Sequence, residues 1–361
     1  MTSQTPHGAG RWRHAPARQA TVAIAASMVA LLLAATTSQA RPAQQAPSCG
    51  WQGIGNASKA VYYPAVAMDT DNHQMYVYGG LDQALDTQNT VQKIDLSGTD
   101  IHPAPHGTVT GVASLKRFGA AGVYRSHGDD SAVYFIGGAG DVMTGQGTND
   151  VQQFHVKTSQ WSSLSAGGSL EDRLFPAAAY DPLHDVVWVT GGIKSCGISD
   201  ATSGNCPART FPTRYLAFDP TTGAAQWSQL GGTGPSQVYG HGMVFDPAGK
   251  RLLLVGGSRD GRVGTNDVWQ LDLSDADPAN ATWSTLSTAG VALPRVALHG
   301  AALDTSRNWL VVYGGVTSNF NTPNENTPTT TYALDLGTTP PTWIDLGTGL
   351  QQRIGAGMAY S

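Results

Sequence analysis

Charged residues are scarce in this chain of 361 residues: 13% are Asp, Glu, Lys or Arg, against 40% hydrophobic residues. That balance excludes an intrinsically disordered protein, which combines high net charge with little apolar surface. The formal net charge is −5, and no basic stripe suited to a nucleic-acid backbone is present. We therefore expect a folded protein that does not bind nucleic acid.

Sequence motifs of common catalytic sites are also missing. There is no Gly-x-Ser-x-Gly nucleophile elbow, no His-Glu-x-x-His zinc motif and no phosphate-binding glycine loop. The acidic segment 69–72 suggests calcium binding, but it lacks the glycine and the distal glutamate of a calcium loop, so a hairpin turn is favoured. The sequence predicts no cofactor and favours a protein that is not an enzyme.

Cysteine is rare, with three residues in the chain. Cys196 and Cys206 enclose a loop rich in Gly and Ser, and in an oxidising compartment we expect them to form a disulfide; the alternative is two free thiols. Two cysteines do not complete a zinc site. Cys49 is left without a partner in this sequence.

The longest apolar run lies near the N-terminus, from Val22 to Ala35. Three arginines precede it and the small residues Ser38 and Ala40 follow it, which is the order of a secretory signal peptide. We expect residues 1–40 to be removed, residues 41–48 to be a linker, and the protein to be secreted, periplasmic or on the cell surface. The run is short for a membrane span of about 20 residues; an uncleaved anchor is the alternative and would be the sole membrane contact.

Glycine, by contrast, is abundant, with 44 residues alongside 20 prolines. Five short apolar segments each end in two glycines, whose first members are Gly79, Gly137, Gly191, Gly256 and Gly314. A strand that is apolar over four consecutive residues is one buried on both faces, and the glycines then allow the chain to turn. Recurrence at intervals of 54 to 65 residues indicates a repeated structural unit.

Each unit contains three further segments that favour strands. A small-residue segment ends in a hairpin turn such as Asp181-Pro182, an alternating segment such as 151–156 follows the glycines, and a segment such as 161–164 is centred on tryptophan. The first unit departs from this pattern, because Ile101 lies near the expected tryptophan. Four short antiparallel strands per unit predict the blades of a β-propeller.

The pattern resembles the kelch repeat, in which four apolar residues and Gly-Gly precede a strand beginning Asn-Asp-Val and then a tryptophan. Asn149-Asp150-Val151 and Asn266-Asp267-Val268 match that strand start, and the likeness covers about residues 49–361. The resemblance implies an all-β, kelch-type β-propeller with five complete four-stranded blades and a partial sixth.

The two ends of the propeller region supply different strands of that sixth blade. Trp51 favours a fourth strand and residues 353–361 favour a first strand, so the second and third strands are missing. Because unpaired strand edges promote aggregation, we expect a chain truncated at its C-terminus, with the partner of Cys49 in the absent part. The alternative is a ring closed by a partial blade.

Arginines recur where first strands are predicted to begin, and a charged pair follows one Gly-Gly. The residues are Arg117, Arg173, Arg295 and Arg353, with Arg259 and Asp260 after the glycines. The kelch resemblance implies that these positions share one rim, the usual binding face. Guanidinium groups there are suited to binding carboxylates; the alternative is that each arginine pairs with a nearby acid or with carbonyl groups at strand ends.

Two histidines, His241 and His299, occupy the same place in consecutive repeats. Since first strands line a propeller axis, their imidazoles are candidates for a metal site; the alternative is two hydrogen-bonded core histidines. Galactose oxidase shares the kelch propeller and binds copper through Tyr and His. This sequence has no adjacent Tyr-His pair, so the resemblance covers the fold and not the copper site.

Together, these features favour an exported scaffold that binds a protein or a glycan on the propeller rim. The alternative is a carbohydrate-active kelch enzyme, either galactose-oxidase-like or sugar-isomerising.

Overall fold

The computed structural model describes residues 61–97, 115–194, 211–235, 239–260, 263–317, 327–348 and 352–360. Cys49, Trp51, Cys196 and Cys206 lie outside these residues, as do the predicted signal peptide and linker. Within them, no helix has the length and apolar character needed to cross a bilayer. The described residues form five β-sheets, which are the blades of a propeller.

Within each blade, the strands follow one another in chain order from the axis outward, and neighbouring strands pair antiparallel. Blade 1 contains β1 (Ala65–Asp69), β2 (Gln74–Tyr78) and β3 (Val91–Asp95). Blade 2 contains β4 (Ala121–Arg125), β5 (Ala132–Ile136), β6 (Val151–His155) and β7 (Gln160–Ser163). The predicted fourth strand of blade 1, near Ile101, lies outside the described residues.

The remaining three blades have all four strands, and two of them gain a short fifth. The two-residue β8 (Ala166–Gly167) pairs parallel with the last strand of blade 3, and β17 (Ala289–Gly290) does so in blade 5. Blade 3 contains β9 (Ala177–Asp181), β10 (Val186–Thr190), β11 (Arg214–Phe218) and β12 (Ala225–Gln229). Blade 4 contains β13 (Gly242–Asp246), β14 (Arg251–Val255), β15 (Val268–Asp272) and β16 (Thr282–Thr285). Blade 5 contains β18 (Gly300–Asp304), β19 (Trp309–Tyr313), β20 (Thr330–Asp335) and β21 (Thr342–Thr348). Two single-turn 3-10 helices, Gly128–Asp130 and Pro278–Asn280, interrupt turns.

The core lies between the blades. The second strands β2, β5 and β10 are buried at all five residues, which confirms the prediction from their unbroken apolar sequences. Their side chains pack alternately against the blade before and the blade after: Tyr76 and Tyr78 face blade 2, whereas Met75 and Val77 face the opposite side. Stability therefore depends on contacts between neighbouring repeats, as in other repeat architectures.

An aspartate ends the first strand in four of the five blades and organises the hairpin to the second strand. Asp69, for example, accepts hydrogen bonds from the amides of Asp71 and Asn72 at 3.1 and 3.0 Å, so the acidic segment 69–72 is a hairpin turn. The equivalent residues, all buried, are Asp181, Asp246 and Asp304. Blade 2 has Arg125 instead.

Residues 352–360 occupy the place of a sixth innermost segment, between β18 and β1. The amide of Gly355 donates to the carbonyl of Leu298 at 2.7 Å, and Gly357 lies against Val66 of β1. Ala359 completes an apolar cluster with Met75 and its neighbours in blade 1. The segment thus has the position predicted for the sixth first strand, but it forms no regular strand.

Candidate functional site

Six equivalent residues form a ring around the axis, one at the start of each innermost segment. They are Tyr63, Gly119, Phe175, Gly240, Leu298 and Gly355, and all have φ between 54° and 63°. From Gly119 onward, each amide donates to the carbonyl of the preceding member, at distances of 2.6 to 3.1 Å. We call this set the axial ring. It joins five blades and the sixth segment through a continuous series of backbone hydrogen bonds.

Bulky residues and glycines alternate around the axial ring because each bulky side chain lies over the preceding glycine. A Cβ added to Gly355 would lie 2.2 Å from the ring of Tyr63, and one added to Gly119 would lie 2.6 Å from the ring of Phe175. Tyr63 and Phe175 also meet edge to face, with ring centroids 5.3 Å apart. The glycines are therefore required by close packing as well as by their positive φ.

The three bulky members of the axial ring have strained backbones. Positive φ is unfavourable for large side chains and costs about 1–3 kcal/mol for each residue. Tyr63, Phe175 and Leu298 all adopt it at the same structural position. Strain of this kind persists where surrounding structure imposes it, and it is frequent at binding and catalytic sites.

A cavity of about 150 Å³ opens at the axial ring. Its walls are six pairs of adjacent residues, one pair from each innermost segment: 63–64, 119–120, 175–176, 240–241, 298–299 and 355–356. The second members of these pairs are Pro64, Ala120, Pro176, His241, His299 and Ala356. No charged side chain is among these twelve residues, and the polar side chains are one tyrosine and two histidines.

Both histidines predicted as metal ligands therefore line the same cavity. His241 and His299 are each 7% exposed, and none of their four ring nitrogens has a hydrogen-bond partner among the described residues. Burial, the neighbouring His299 and the charge of Arg173 lower the pKa of His241 to about 3. Burial lowers the pKa of His299 to about 4. Both imidazoles are consequently neutral at pH 7.

The described residues do not provide further conventional ligands for a metal at this place. No group of three or more His, Cys, Asp or Glu side chains in the described part of the chain is arranged to hold an ion. The equivalent positions in the other repeats are proline or alanine, as the sequence indicated. Copper as in galactose oxidase therefore does not fit this set of residues.

The predicted arginine sites fall into two groups, and the first group lies next to the axial ring. Arg117, Arg173 and Arg353 occupy equivalent positions two residues before the axial ring. Arg117 binds Asp150 at 2.7 Å. Arg173 is fully buried, where it binds Glu171 at 2.6 Å and the carbonyls of Gly191 and Pro212.

The environment of Glu171 shows how completely Arg173 is engaged. Glu171 also accepts hydrogen bonds from Arg214, including one from Nε at 3.1 Å. Although burial alone raises the pKa of Glu171, the hydrogen bonds from Arg214 and Arg173 lower it to about 2. Arg173 is therefore a structural cation enclosed in the fold, and its guanidinium does not face solvent.

The second group of predicted site residues lies at the surface. Arg295 is exposed and lies one residue before the position of Arg117 and Arg173, which Val296 occupies in this repeat. The sequence analysis grouped Arg295 with the other three arginines, but it lies one residue out of register with them. Arg259 and Asp260 are also exposed, and Arg259 binds Asp267 at 2.6 Å.

The loops after the glycine pairs lie at the same end of the propeller as the cavity. Bridges such as Tyr62–Leu81, Phe118–Ala139 and Tyr239–Ser258 connect each loop to the residue just before the axial ring. We call this the loop end. The hairpins between first and second strands lie at the other end, which we call the hairpin end. The common rim implied by the kelch resemblance is thus present.

Three loops at the loop end share an arrangement that the sequence analysis missed. An aspartate side chain accepts backbone hydrogen bonds within each loop: Asp82 from Ala84 and Asp86, Asp141 from Met143, and Asp260 from Val263. Each loop then exposes one large apolar side chain, namely Leu85 at 44%, Met143 at 63% and Val263 at 37%. The repeated Asp followed two or three residues later by an apolar residue was the available signal.

Solved structures share this fold, among them the following two. YjhT, a kelch-type propeller, has a TM-score of 0.59 and 19% identity over 83% of this chain and 87% of its own. A copper-bound fungal alcohol oxidase of the AA5 family has a TM-score of 0.53 and 13% identity over 83% of this chain. The match spans 55% of the oxidase, about half its length. At these identities the likeness shows the fold alone, which confirms the predicted propeller. No protein-family model and no curated protein matches the sequence.

Proposed function

We propose that this protein is an exported β-propeller that binds a protein or a glycan at its loop end. The observation that carries the proposal is the set of three exposed apolar side chains, Leu85, Met143 and Val263, on equivalent loops. Single exposed apolar side chains are common at protein surfaces, but these three recur after an aspartate on repeated loops at one end of the propeller. We call these three residues the apolar tips.

The loops that carry Leu85 and Met143 are ordered by hydrogen bonds to an aspartate side chain. Two backbone amides bind the carboxylate of Asp82, each at 3.0 Å, and Met143 donates its own amide to Asp141 at 2.8 Å. A preordered loop loses less conformational entropy when a ligand binds. Leu85 and Met143 are therefore presented on ordered loops, and we propose that Val263 joins them in the contact.

The arginines contribute differently from the carboxylate-binding ring that the sequence suggested. Arg173 is enclosed, and Arg117 is bound to Asp150 with only 11% of its side chain exposed. We therefore propose that the apolar tips supply the centre of the contact, and that the exposed Arg259, Asp260 and Arg295 supply its polar periphery. An apolar centre with a polar rim is the usual composition of a protein interface.

Export rests on the order of features before residue 41, and it has its own test. Expressed in its source cell with its natural N-terminus, the protein should appear outside the cytoplasm with Arg41 as its first residue. N-terminal sequencing of the extracellular protein decides this, and retention of residues 1–40 in the cytoplasm would overturn the export proposal.

Binding at the loop end is tested by a triple variant, Leu85→Ser, Met143→Ser and Val263→Ser. Wild-type protein, labelled with biotin, is applied to a glycan array and to a panel of purified extracellular proteins. The matched control is Leu183→Ser, which removes an equally exposed apolar residue (48%) at the hairpin end. We expect the triple variant to lose at least about tenfold in affinity and the control to keep it. No ligand for the wild type, or equal binding by the triple variant, would refute the proposal.

A carbohydrate-active enzyme is the alternative, and one observation favours it: the strained residues Tyr63, Phe175 and Leu298 surround a cavity. Under that alternative, purified protein should release or convert a product from a carbohydrate panel. A turnover that survives the triple variant but is lost on substitution of His241 and His299 would favour the enzyme over the scaffold.

A further inference from the structure

We infer that the axial cavity is a second binding site, for a small uncharged molecule that carries hydroxyl groups and is no larger than one sugar ring. The site differs from the apolar tips, which lie on loops, and its occupant does not depend on a ligand at the loop end. Three properties of the cavity carry the inference: its lack of charge, its unpartnered polar groups and its size.

The first property is electrical neutrality. The twelve residues of the wall include no Asp, Glu, Lys or Arg. The polar groups that line it are also uncharged, because the two imidazoles are held in their neutral form. Burial, with a contribution from Tyr62, likewise raises the pKa of Tyr63 to about 12, so its hydroxyl keeps its proton. The nearest charge that acts on this wall, that of Arg173 on His241, is already paired with Glu171. A charged ligand would therefore lose its hydration without gaining an ion pair from the wall, which is unfavourable.

The second property is the presence of polar groups that lack partners. All four ring nitrogens of His241 and His299 are buried without hydrogen bonds among the described residues. Tyr63 lines the same cavity, and its phenol adds a third polar side chain to the wall. Buried polar groups in folded proteins nearly always have partners, and a missing one points to a water, ion or ligand. A neutral imidazole offers one donor and one acceptor, and a hydroxyl group satisfies either.

The third property is the size and surface of the cavity. Its volume of about 150 Å³ equals that of an apolar cavity known to accommodate a benzene ring. The side chains of Phe175, Leu298, Pro64 and Pro176 provide apolar walls. Apolar walls with a few polar groups are typical of small-molecule sites. A single ring that has both C–H faces and hydroxyl groups matches these walls.

A metal ion is the competing occupant, and the geometry favours it less. Two imidazoles are the only His, Cys, Asp or Glu side chains in the wall, and the described residues contain no group of three. Stoichiometric metal in the purified protein would therefore overturn the inference.

The test is isothermal titration of the full-length protein, treated with EDTA and dialysed, with four probes of similar size. D-glucose and myo-inositol are uncharged, whereas D-glucuronate is an anion and D-glucosamine is a cation. We expect saturable binding of at least one neutral probe, with an affinity at least about tenfold higher than for either charged probe. The triple variant at the apolar tips should bind the same probe as the wild type does.

The variant Tyr63→Phe removes only the hydroxyl and keeps the aromatic ring over Gly355. We expect it to bind the neutral probe about three- to tenfold more weakly, the usual consequence of losing one hydrogen bond. Tyr332→Phe in blade 5, remote from the cavity, is the matched control and should bind as the wild type does. Circular dichroism of both variants verifies the fold.

Four results would overturn the inference. They are no binding of any neutral probe, equal binding of the charged probes, equal affinity of wild type and Tyr63→Phe, and stoichiometric metal in the protein as purified. Loss of ligands at the loop end alone would refute the proposed function and leave this inference intact.

Discussion

Arg125 of blade 2 holds Asp185 of blade 3 with two hydrogen bonds, of which the one from Nε to Oδ1 is 2.6 Å long. Arg125 replaces the aspartate that ends the first strand in the other four blades. Its guanidinium also lies over the ring of Phe218, 3.9 Å from the centroid. A change of charge at one repeated position thus converts a hairpin contact within a blade into a contact between blades.

We predict that Arg125→Met lowers the free energy of unfolding by about 2 kcal/mol, because the partly buried Asp185 loses both hydrogen bonds from the guanidinium and keeps only Tyr180 and His127 as neighbours. Urea denaturation followed by tryptophan fluorescence measures this. The control is Lys157→Met, whose partner Asp129 is 82% exposed; removing such a surface pair should cost less than about 0.5 kcal/mol. Similar losses for the two variants would show that the Arg125 contact contributes nothing particular.

We predict that Gly355→Ala destabilises the protein more than Gly223→Ala does. Both glycines have positive φ, +63° and +70°, but a Cβ at Gly355 meets the ring of Tyr63 at 2.2 Å, whereas a Cβ at Gly223 meets nothing within 4 Å. Gly223→Ala should cost about 1 kcal/mol, for backbone strain alone. The difference in thermal unfolding temperature between the two variants measures the destabilisation caused by the clash with Tyr63, separately from backbone strain. If they unfold at the same temperature, the Tyr63 contact is not formed in solution.

We predict that stability falls as pH decreases from about 6.5 to 5, partly because of the buried histidines. The folded protein holds the pKa values of His241 and His299 at about 3 and 4, so the unfolded chain binds more protons in this range. Each histidine should contribute a decrease of about 1 kcal/mol per pH unit below the unfolded pKa of about 6.5.

The histidine contribution is separated from other titrating groups by the double variant His241→Gln and His299→Gln. Its free energy of unfolding should depend less on pH between 6.5 and 5 than that of the wild type. His155→Gln in β6, away from the axis, controls for the loss of an imidazole. A double variant with the wild-type slope would contradict the neutral state assigned to these histidines.

We predict a disulfide between Cys196 and Cys206, which lie outside the described residues. Peptide mapping of protein purified from an oxidising compartment, without reduction, should recover the two cysteines in one cross-linked peptide. Replacing both by serine should lower the free energy of unfolding by about 2–3 kcal/mol, as expected for a short closed loop. Quantitative alkylation of both thiols in the unreduced protein would refute the pairing.

The blades were predictable because each strand carries its own physical signature. The buried second strands could be located from four apolar residues before Gly-Gly, as at Val133–Ile136, since only a strand covered on both faces tolerates that pattern. The hairpin at Asp69 was predictable from turn-forming residues. These features are local, and the propeller follows from their repetition.

The axial ring was not predictable, because its members look unrelated in the sequence. Glycine at positive φ is expected, but Phe175 and Leu298 in that conformation carry no local signal, since the strain is imposed by neighbouring blades. For a related reason, the sequence left two alternatives open for the arginines. Whether Arg173 faces solvent depends on the carbonyls of Gly191 and Pro212, which approach it only when blade 3 folds.

The hydrogen bonds of the axial ring have a mechanical consequence. Five bonds connect six residues in series, so the series has two ends, at Tyr63 and at Gly355. These two residues are in side-chain contact rather than in the series of bonds. When a force pulls the blades apart, we therefore expect the contact between Tyr63 and Gly355 to separate first. The five junctions that have a backbone hydrogen bond should stay closed at that force.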